Sequence, residues 1–254
     1  MFGWWARRRR ARILAEDVPS EWPDYLDGEL AHWSRLSPRH RERLMDIARV
    51  LMAEKNWEGC GGLELTVLMR LSIAAQAGTL LLGIDHDYYR NVDSILVYPQ
   101  SYTLPRRDPS GVLAPTSRPV LGHAQVRGPV VLSWRSSRAG GRNADDGRNL
   151  VYHEFAHKLD MLDGAVDGTP PLGDRAALAR YIKVMTAAYA RLQNQAERGR
   201  QGVLDHYGAT DVAEFFACAT ETFFEKPRQM ARKDGLLYEV LQDFYGQDPA
   251  SWPR

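Results

Sequence analysis

Apolar residues recur at helical spacing over several long stretches of this chain. Between Pro38 and Lys55, residues Leu44, Ile47, Ala48 and Leu51 form a stripe behind a capping Ser37 and a proline placed where helices tolerate one. Leu63 to Leu82 is rich in Leu, Ala and Met, which predicts a more deeply buried helix. The pattern then changes period. Ser94–Tyr98 and Val130–Trp134 are short β-branched and aromatic runs, read as strands. The segment from Leu104 to Pro129 carries several prolines and glycines and reads as loops with short strands. Ser136 to Arg148 is polar with no apolar periodicity, and is expected to be an exposed, mobile loop. Helical spacing returns over about Asp146–Leu162, is broken by Gly164, Gly168, Pro170 and Pro171, and resumes over Asp174–Glu197, Asp211–Glu225 and Gln229–Tyr245. Helices flanking a small mixed β-sheet predict a mostly helical α+β domain. Residues 1–20 read as a basic, aromatic arm and 21–254 as one domain.

Charge changes this picture little. Lys and Arg number 33 against 32 Asp and Glu, so the whole chain has no electrostatic footprint for direct nucleic-acid binding. No apolar run approaches the roughly 18 residues of a membrane span. Two cysteines, Cys60 and Cys218, are too few for a disulfide scaffold and fit a reducing cytoplasm. Arg7 to Arg10 follow Trp4 and Trp5, the reverse of the order in a secretory signal. The arm therefore reads as a mobile, solvated tail, or else as a weak contact for anionic lipid.

The chemistry is concentrated in Leu150-Val-Tyr-His-Glu-Phe-Ala-His-Lys-Leu-Asp160. His153 and His157 stand one helical turn apart on one face, so both imidazoles can reach one ion. Zinc suits imidazole nitrogen, and Glu154 beside the first histidine can take a proton from a water acidified by the metal. A chance His-Glu-x-x-His in this composition is expected only about 0.01 times per chain, which favours a site over coincidence. The plainer alternative is two histidines and a glutamate on a partly exposed helix face. A catalytic zinc usually takes three protein ligands. Asp163 stands where one class of such enzymes has a third histidine, so the third ligand is expected on a later helix. There Glu214, Cys218, Glu221 and Glu225 share one face, while Phe215, Phe216, Phe223 and Phe224 anchor the helix. Spacing alone leaves Glu214 and Glu221 both open, and Glu214 could instead close a capping box with Asp211.

At these residues the chain resembles a known family. His-Glu-Phe-Ala-His-Lys-Leu-Asp at 153–160 and Tyr207-Gly-Ala-Thr-Asp-Val-Ala-Glu-Phe-Phe-Ala217 resemble the paired motifs of the MtfA (Mlc titration factor A) zinc peptidases, and the second block also looks like the catalytic domain of anthrax lethal factor. The resemblance implies a gluzincin-type metallopeptidase fold over residues 21–254, a cytoplasmic setting, and one Zn2+ per chain held by His153, His157 and Glu214. It implies Glu154 as general base and Tyr207 as a residue that steadies the tetrahedral intermediate. It implies a peptide or protein substrate and a Mlc-like transcriptional repressor as partner, with a link to sugar uptake.

Neighbouring residues have two readings each. His206 reads as a surface histidine. Asp160 and Glu221 could each orient a ligand imidazole or simply bind solvent. The strand at 130–134 could offer its edge to an extended peptide, or serve only as core. Two rivals to a peptidase remain at this level: a protein that sequesters a repressor with vestigial catalysis, and a structural zinc domain. The second is disfavoured because structural sites close all four positions and prefer Cys. Sequence leaves aminopeptidase and endopeptidase modes open.

Overall fold

A computed structural model describes residues 2–100, 106–107, 113–114 and 128–253. The chain begins with helix α1 (Phe2–Ala15), followed by α2 (Glu21–Glu29) and α3 (Pro38–Glu54). Ser37 caps α3 through its hydroxyl, which accepts from His40 N. Strand β1 (Asn56–Gly59) leads into α4 (Val67–Thr79), whose residues are buried without interruption from Leu71 onward. Strand β2 (Ser94–Tyr98) follows; the two-residue strands β3 (Arg106–Arg107) and β4 (Leu113–Ala114) come next, then β5 (Val130–Ser133).

The sheet has the order β1-β2-β5 and is parallel throughout, with Asn56 opposite Ser94 and Ile95 opposite Val130. The expectation of a mixed sheet is therefore corrected: antiparallel pairing among the described residues is confined to the separate β3–β4 ladder. The long connections leave room for parallel pairing, since β1 reaches β2 only through α4. Central β2 buries Ile95 and Val97. Strand β5 lies at an edge, and most of the loop expected over Leu104–Pro129 falls outside the described residues.

Two further expectations fail for physical reasons. The arm is not a free tail. Helix α1 is tied to α3 by Arg10, whose Nε and Nη2 donate to the two oxygens of Glu54 at 3.0 and 2.9 Å. Arg49 of α3 donates back to the carbonyls of Ile13 and Glu16. Nor is Ser136–Arg148 an exposed loop throughout: it is one only beyond Arg142. Ser133 ends β5 and caps α5 (Trp134–Arg142), so Trp134 starts a helix instead of ending a strand. Helix α5 lacks an apolar stripe because it packs through backbone. A Cβ on Gly141 would sit 2.8 Å from both Gln76 Nε2 and Glu29 O, a contact only glycine permits, and Ala31 N donates to the Gly141 carbonyl. Arg138 grips the buried Glu29 with two 2.8 Å hydrogen bonds and Arg142 adds one of 2.7 Å.

The rest is helical: α6 (Leu150–Asp160), α7 (Arg175–Glu197), α8 (Val212–Glu225), α9 (Pro227–Lys233) and α10 (Gly235–Tyr245). Asp174 caps α7 and Asp211 caps α8. Helix α6 starts four residues later than its pattern suggested. Gly147 takes φ 78° and Asn149 is extended, its side chain capping Tyr152 N. The single helix expected over Gln229–Tyr245 is two, divided at Asp234, whose carboxylate pairs with Arg191 of α7. Aromatic contacts lock α8 to its neighbours; Phe224 lies 5.4 Å from Tyr152 and 5.1 Å from Tyr245, centroid to centroid.

The Glu29 cluster yields a stability prediction. Hydrogen bonds from Arg138, and the charge of Arg142, outweigh burial and hold the Glu29 carboxyl below its ordinary value. Its contribution is therefore present above about pH 4.3, the usual glutamate value, and is lost as pH falls through the depressed one. Glu29→Gln should cost about 1–2 kcal/mol at pH 7, on the modest side because both guanidiniums are half in water. Urea melts at pH 7 and pH 3 should show the deficit shrinking in acid; an equal deficit at both would contradict it.

Candidate metal centre

Helices α6 and α8 lie antiparallel. His157, His153 and Asn149, in descending order along α6, meet Glu214 and then Glu221, in ascending order along α8. Both helices bury the facing side chains. His153 is 8 % exposed, His157 5 % and Glu154 4 %, against which an uncompensated charge would be costly.

Glu214 Oε2 lies 2.9 Å from His153 Nε2 and 3.6 Å from His157 Nε2, and the two Nε2 atoms are 3.3 Å apart. Despite the short contact, Glu214 Oε2 is buried without an aligned hydrogen bond. Three electron-rich donor atoms thus crowd one small volume, all within 4.8 Å of one another. That suits a cation bound at about 2.0–2.2 Å from each. The capping-box alternative is half realised: Asp211 Oδ1 accepts from Glu214 N at 2.9 Å, while the Glu214 carboxylate turns to the histidines.

The electrostatics agree with the geometry. Burial works against a charged His153, but the polar groups of Cys218, Glu214 and Glu221 that face the ring outweigh it and raise its pKa well above the ordinary value. Burial likewise pushes Glu214 up, and the two imidazoles pull it below the usual carboxylate range. Glu154, one residue past His153, has its carboxyl raised by burial, partly offset by the imidazoles and Lys158.

Behind the donors stands a supporting network. Glu221 Oε2 is 3.1 Å from His153 Nδ1 and its Oε1 accepts from Asn149 N at 2.7 Å, so one carboxylate holds both the ring and the start of its helix. Glu225 accepts from Gly147 N and Arg148 N at 3.1 and 3.0 Å. Desolvation and the nearby Asp146 and Glu221 push the Glu225 carboxyl up to about 9. Asp160 does something else. Its Oδ2 accepts from Gly168 N, and burial raises the carboxyl to about 6. Gly168, at φ 72°, comes so close to Val212 that a Cβ would lie 2.3 Å from the Val212 carbonyl oxygen. Asp160 therefore joins the end of α6 to the start of α8. It makes no hydrogen bond to either imidazole among the described contacts.

Tyr207 sits in the 3-10 turn His206–Ala209 ahead of α8, 42 % exposed, its ring centroid 6.1 Å from that of His153. Burial and Glu214 raise the phenol to about 12. His206 hydrogen-bonds the Arg200 carbonyl and stays outside the donor set. Two residues not singled out from sequence hold the turn. Asp205 accepts from Tyr207 N at 2.9 Å and from Arg148 Nη2 at 2.7 Å. An Asp two residues before a turn tyrosine is a recognisable capping signal, but Arg148 had been assigned to a loop. A cavity of about 410 Å³ opens beside His153, walled also by Tyr207, Cys218, Glu221, Arg148 and Leu150.

Two buried histidines and a carboxylate gathered at one point form a group that could hold a metal ion. The chain belongs to the glucose-regulated metallo-peptidase M90 family, whose model matches residues 3–246. It is 36% identical over 248 residues to an uncharacterised protein of Synechocystis sp., covering 96% of this chain and 90% of that one. It is also similar to proteins named Mlc titration factor A. The one from Serratia proteamaculans is 32% identical over 253 residues, covering 97% and 92%. The one from Edwardsiella ictaluri is 32% identical over 250 residues, covering 96% and 93%. A family of metallo-peptidases implies a metal ion, and no described helix is long and apolar enough to cross a membrane.

The double role of Glu221 predicts a structural cost. Glu221→Ala should destabilise the fold by about 1–3 kcal/mol, because Asn149 N and His153 Nδ1 lose a buried partner. Chemical denaturation should show it; an unchanged midpoint would mean that the seam does not depend on this carboxylate.

Proposed function

We propose that this chain is a gluzincin-type zinc peptidase in which His153, His157 and Glu214 hold one zinc ion. The observation that carries the reading is the convergence of Glu214 on both imidazoles from a separate helix. When bound, zinc supplies a Lewis acid that polarises a carbonyl and acidifies water.

The chain's own residues do the rest. Glu154 accepts the proton of the attacking water and later returns it to the leaving amine. Burial raises its carboxyl above the ordinary value, while the two imidazoles oppose the shift. Glu221 accepts from His153 Nδ1 and so directs Nε2 toward the donor cluster. Tyr207 keeps its proton at neutral pH and can donate it to a developing oxyanion, a contribution of about 2.7–4 kcal/mol when such a donor is well placed. The cavity beside His153 receives the peptide, and the edge of β5 offers main-chain groups to an extended one. Residues 21–254 make up the catalytic domain in this reading, and its setting is the cytoplasm.

The name shared by the Serratia and Edwardsiella relatives supports a Mlc-like transcriptional repressor as a partner, alongside peptide substrates. A role in sequestering alone leaves unexplained why a buried Glu154 adjoins the donor cluster. A pull-down with a Mlc-like repressor as bait should retain the chain and also His153→Ala if partner binding is separate from the metal. Failure of the unaltered chain to bind would remove this partner.

The mechanism is tested by Glu154→Gln. The variant should keep one zinc per chain by atomic absorption and lose peptidase activity by about 10²-fold or more. Undiminished turnover of a fluorogenic peptide library would end the assignment of Glu154.

A further inference from the structure

His153 is shared between two donor sets. Besides His157 and Glu214, the described residues place a second trio, His153, Cys218 and Glu221, with donor atoms all within 4.8 Å of one another. Glu221 Oε2 is 3.1 Å from His153 Nδ1, so this trio addresses the ring nitrogen opposite the one that faces Glu214. All three members are buried, and all three line the 410 Å³ cavity, through which an ion can enter.

We propose that His153, Cys218 and Glu221 form a second, thiophilic cation site that takes cadmium or excess zinc and competes with the first site for His153. The antagonism rests on the reading of the first site as a zinc site; the existence of the second does not. A thiolate is a softer ligand than the carboxylate and imidazoles of the first trio and selects zinc and cadmium over hard cations. The competition follows from protons. While Nε2 serves the first trio, Nδ1 carries a hydrogen that Glu221 accepts. An ion on the second trio must displace the Cys218 thiol hydrogen, which passes to solvent, and the Nδ1 hydrogen, whose place is then taken by one on the Nε2 that the first trio gives up. One imidazole cannot serve two cations without becoming an imidazolate, so filling the second trio draws His153 from the first.

The test uses the full-length protein as isolated, in a Cys60→Ala background so that Cys218 is the sole thiol. Added Cd2+ should produce a thiolate-to-cadmium charge-transfer band in the ultraviolet, with zinc released to a chromophoric chelator as the band grows. Cys218→Ser, with folding checked by circular dichroism, should lose the band. No band with Cys218 present, or a band that survives Cys218→Ser, overturns the site. A band without zinc release overturns the competition. Glu214→Gln in the same titration should keep the band while its zinc content falls. Zinc content unaffected by that change would count against the first site alone and leave the cadmium result standing.

Discussion

One face of α8 carries carboxylates that have nowhere to go except onto α6. Glu214, Glu221 and Glu225 are spaced by seven and four residues, so they follow the seam between the helices and meet successive groups on α6 and on the residues just ahead of it. Glu214 meets two imidazoles, Glu221 meets one imidazole and one backbone N–H, and Glu225 meets two backbone N–H groups. These backbone N–H groups belong to Gly147, Arg148 and Asn149, just ahead of α6, and each donates to a carboxylate of α8. Aromatic packing around Phe224 and Tyr245 holds α8 against Tyr152 of α6. Without that packing the carboxylates would return to water and the donor cluster would separate.

Closing the seam has an electrostatic cost, and the chain meets it unevenly. Glu225 has no cationic partner among the described contacts, and its carboxyl is pushed up to about 9, so it is largely protonated at neutral pH. Glu214 sits below the ordinary range because two imidazoles face it. The same helix thus holds one carboxyl that gives up negative charge and another that retains it. Retained charge is concentrated at the point where Nε2 atoms converge, as a cation site requires. Support from outside the seam comes through two loops. Asp160 and Gly168 set where α8 begins, and the Arg148–Asp205 pair sets where Tyr207 stands.

Much of this was legible along the chain. The caps at Ser37 and Asp211, the helix beginning at Asp174, the β2 run and the His-x-x-x-His turn of α6 obey local rules of spacing and capping, and all appear in the structure at or near their expected positions. What local rules missed has a common cause. Helix α5 is held by glycine backbone contacts and by Arg138 and Arg142 on Glu29, none of which leaves an apolar period. Helix α1 is held by arginines reaching a glutamate 44 residues away. Polar attachment over long range has no periodic signature.

Sequence by itself determined which side chains could act: two imidazoles on one helical face, a glutamate between them, and a later helix with glutamates in a row. It left Glu214 and Glu221 equivalent by spacing, because position along one helix says nothing of where a second helix begins against it. Tertiary structure gives them different neighbours. The register of α6 against α8 brings Glu214 to the Nε2 side of His153 and Glu221 to the Nδ1 side, separating the carboxylate in the donor cluster from the one that orients the ring. That register is a property of packing and of loop contacts far apart in sequence, and a linear pattern does not encode it in readable form.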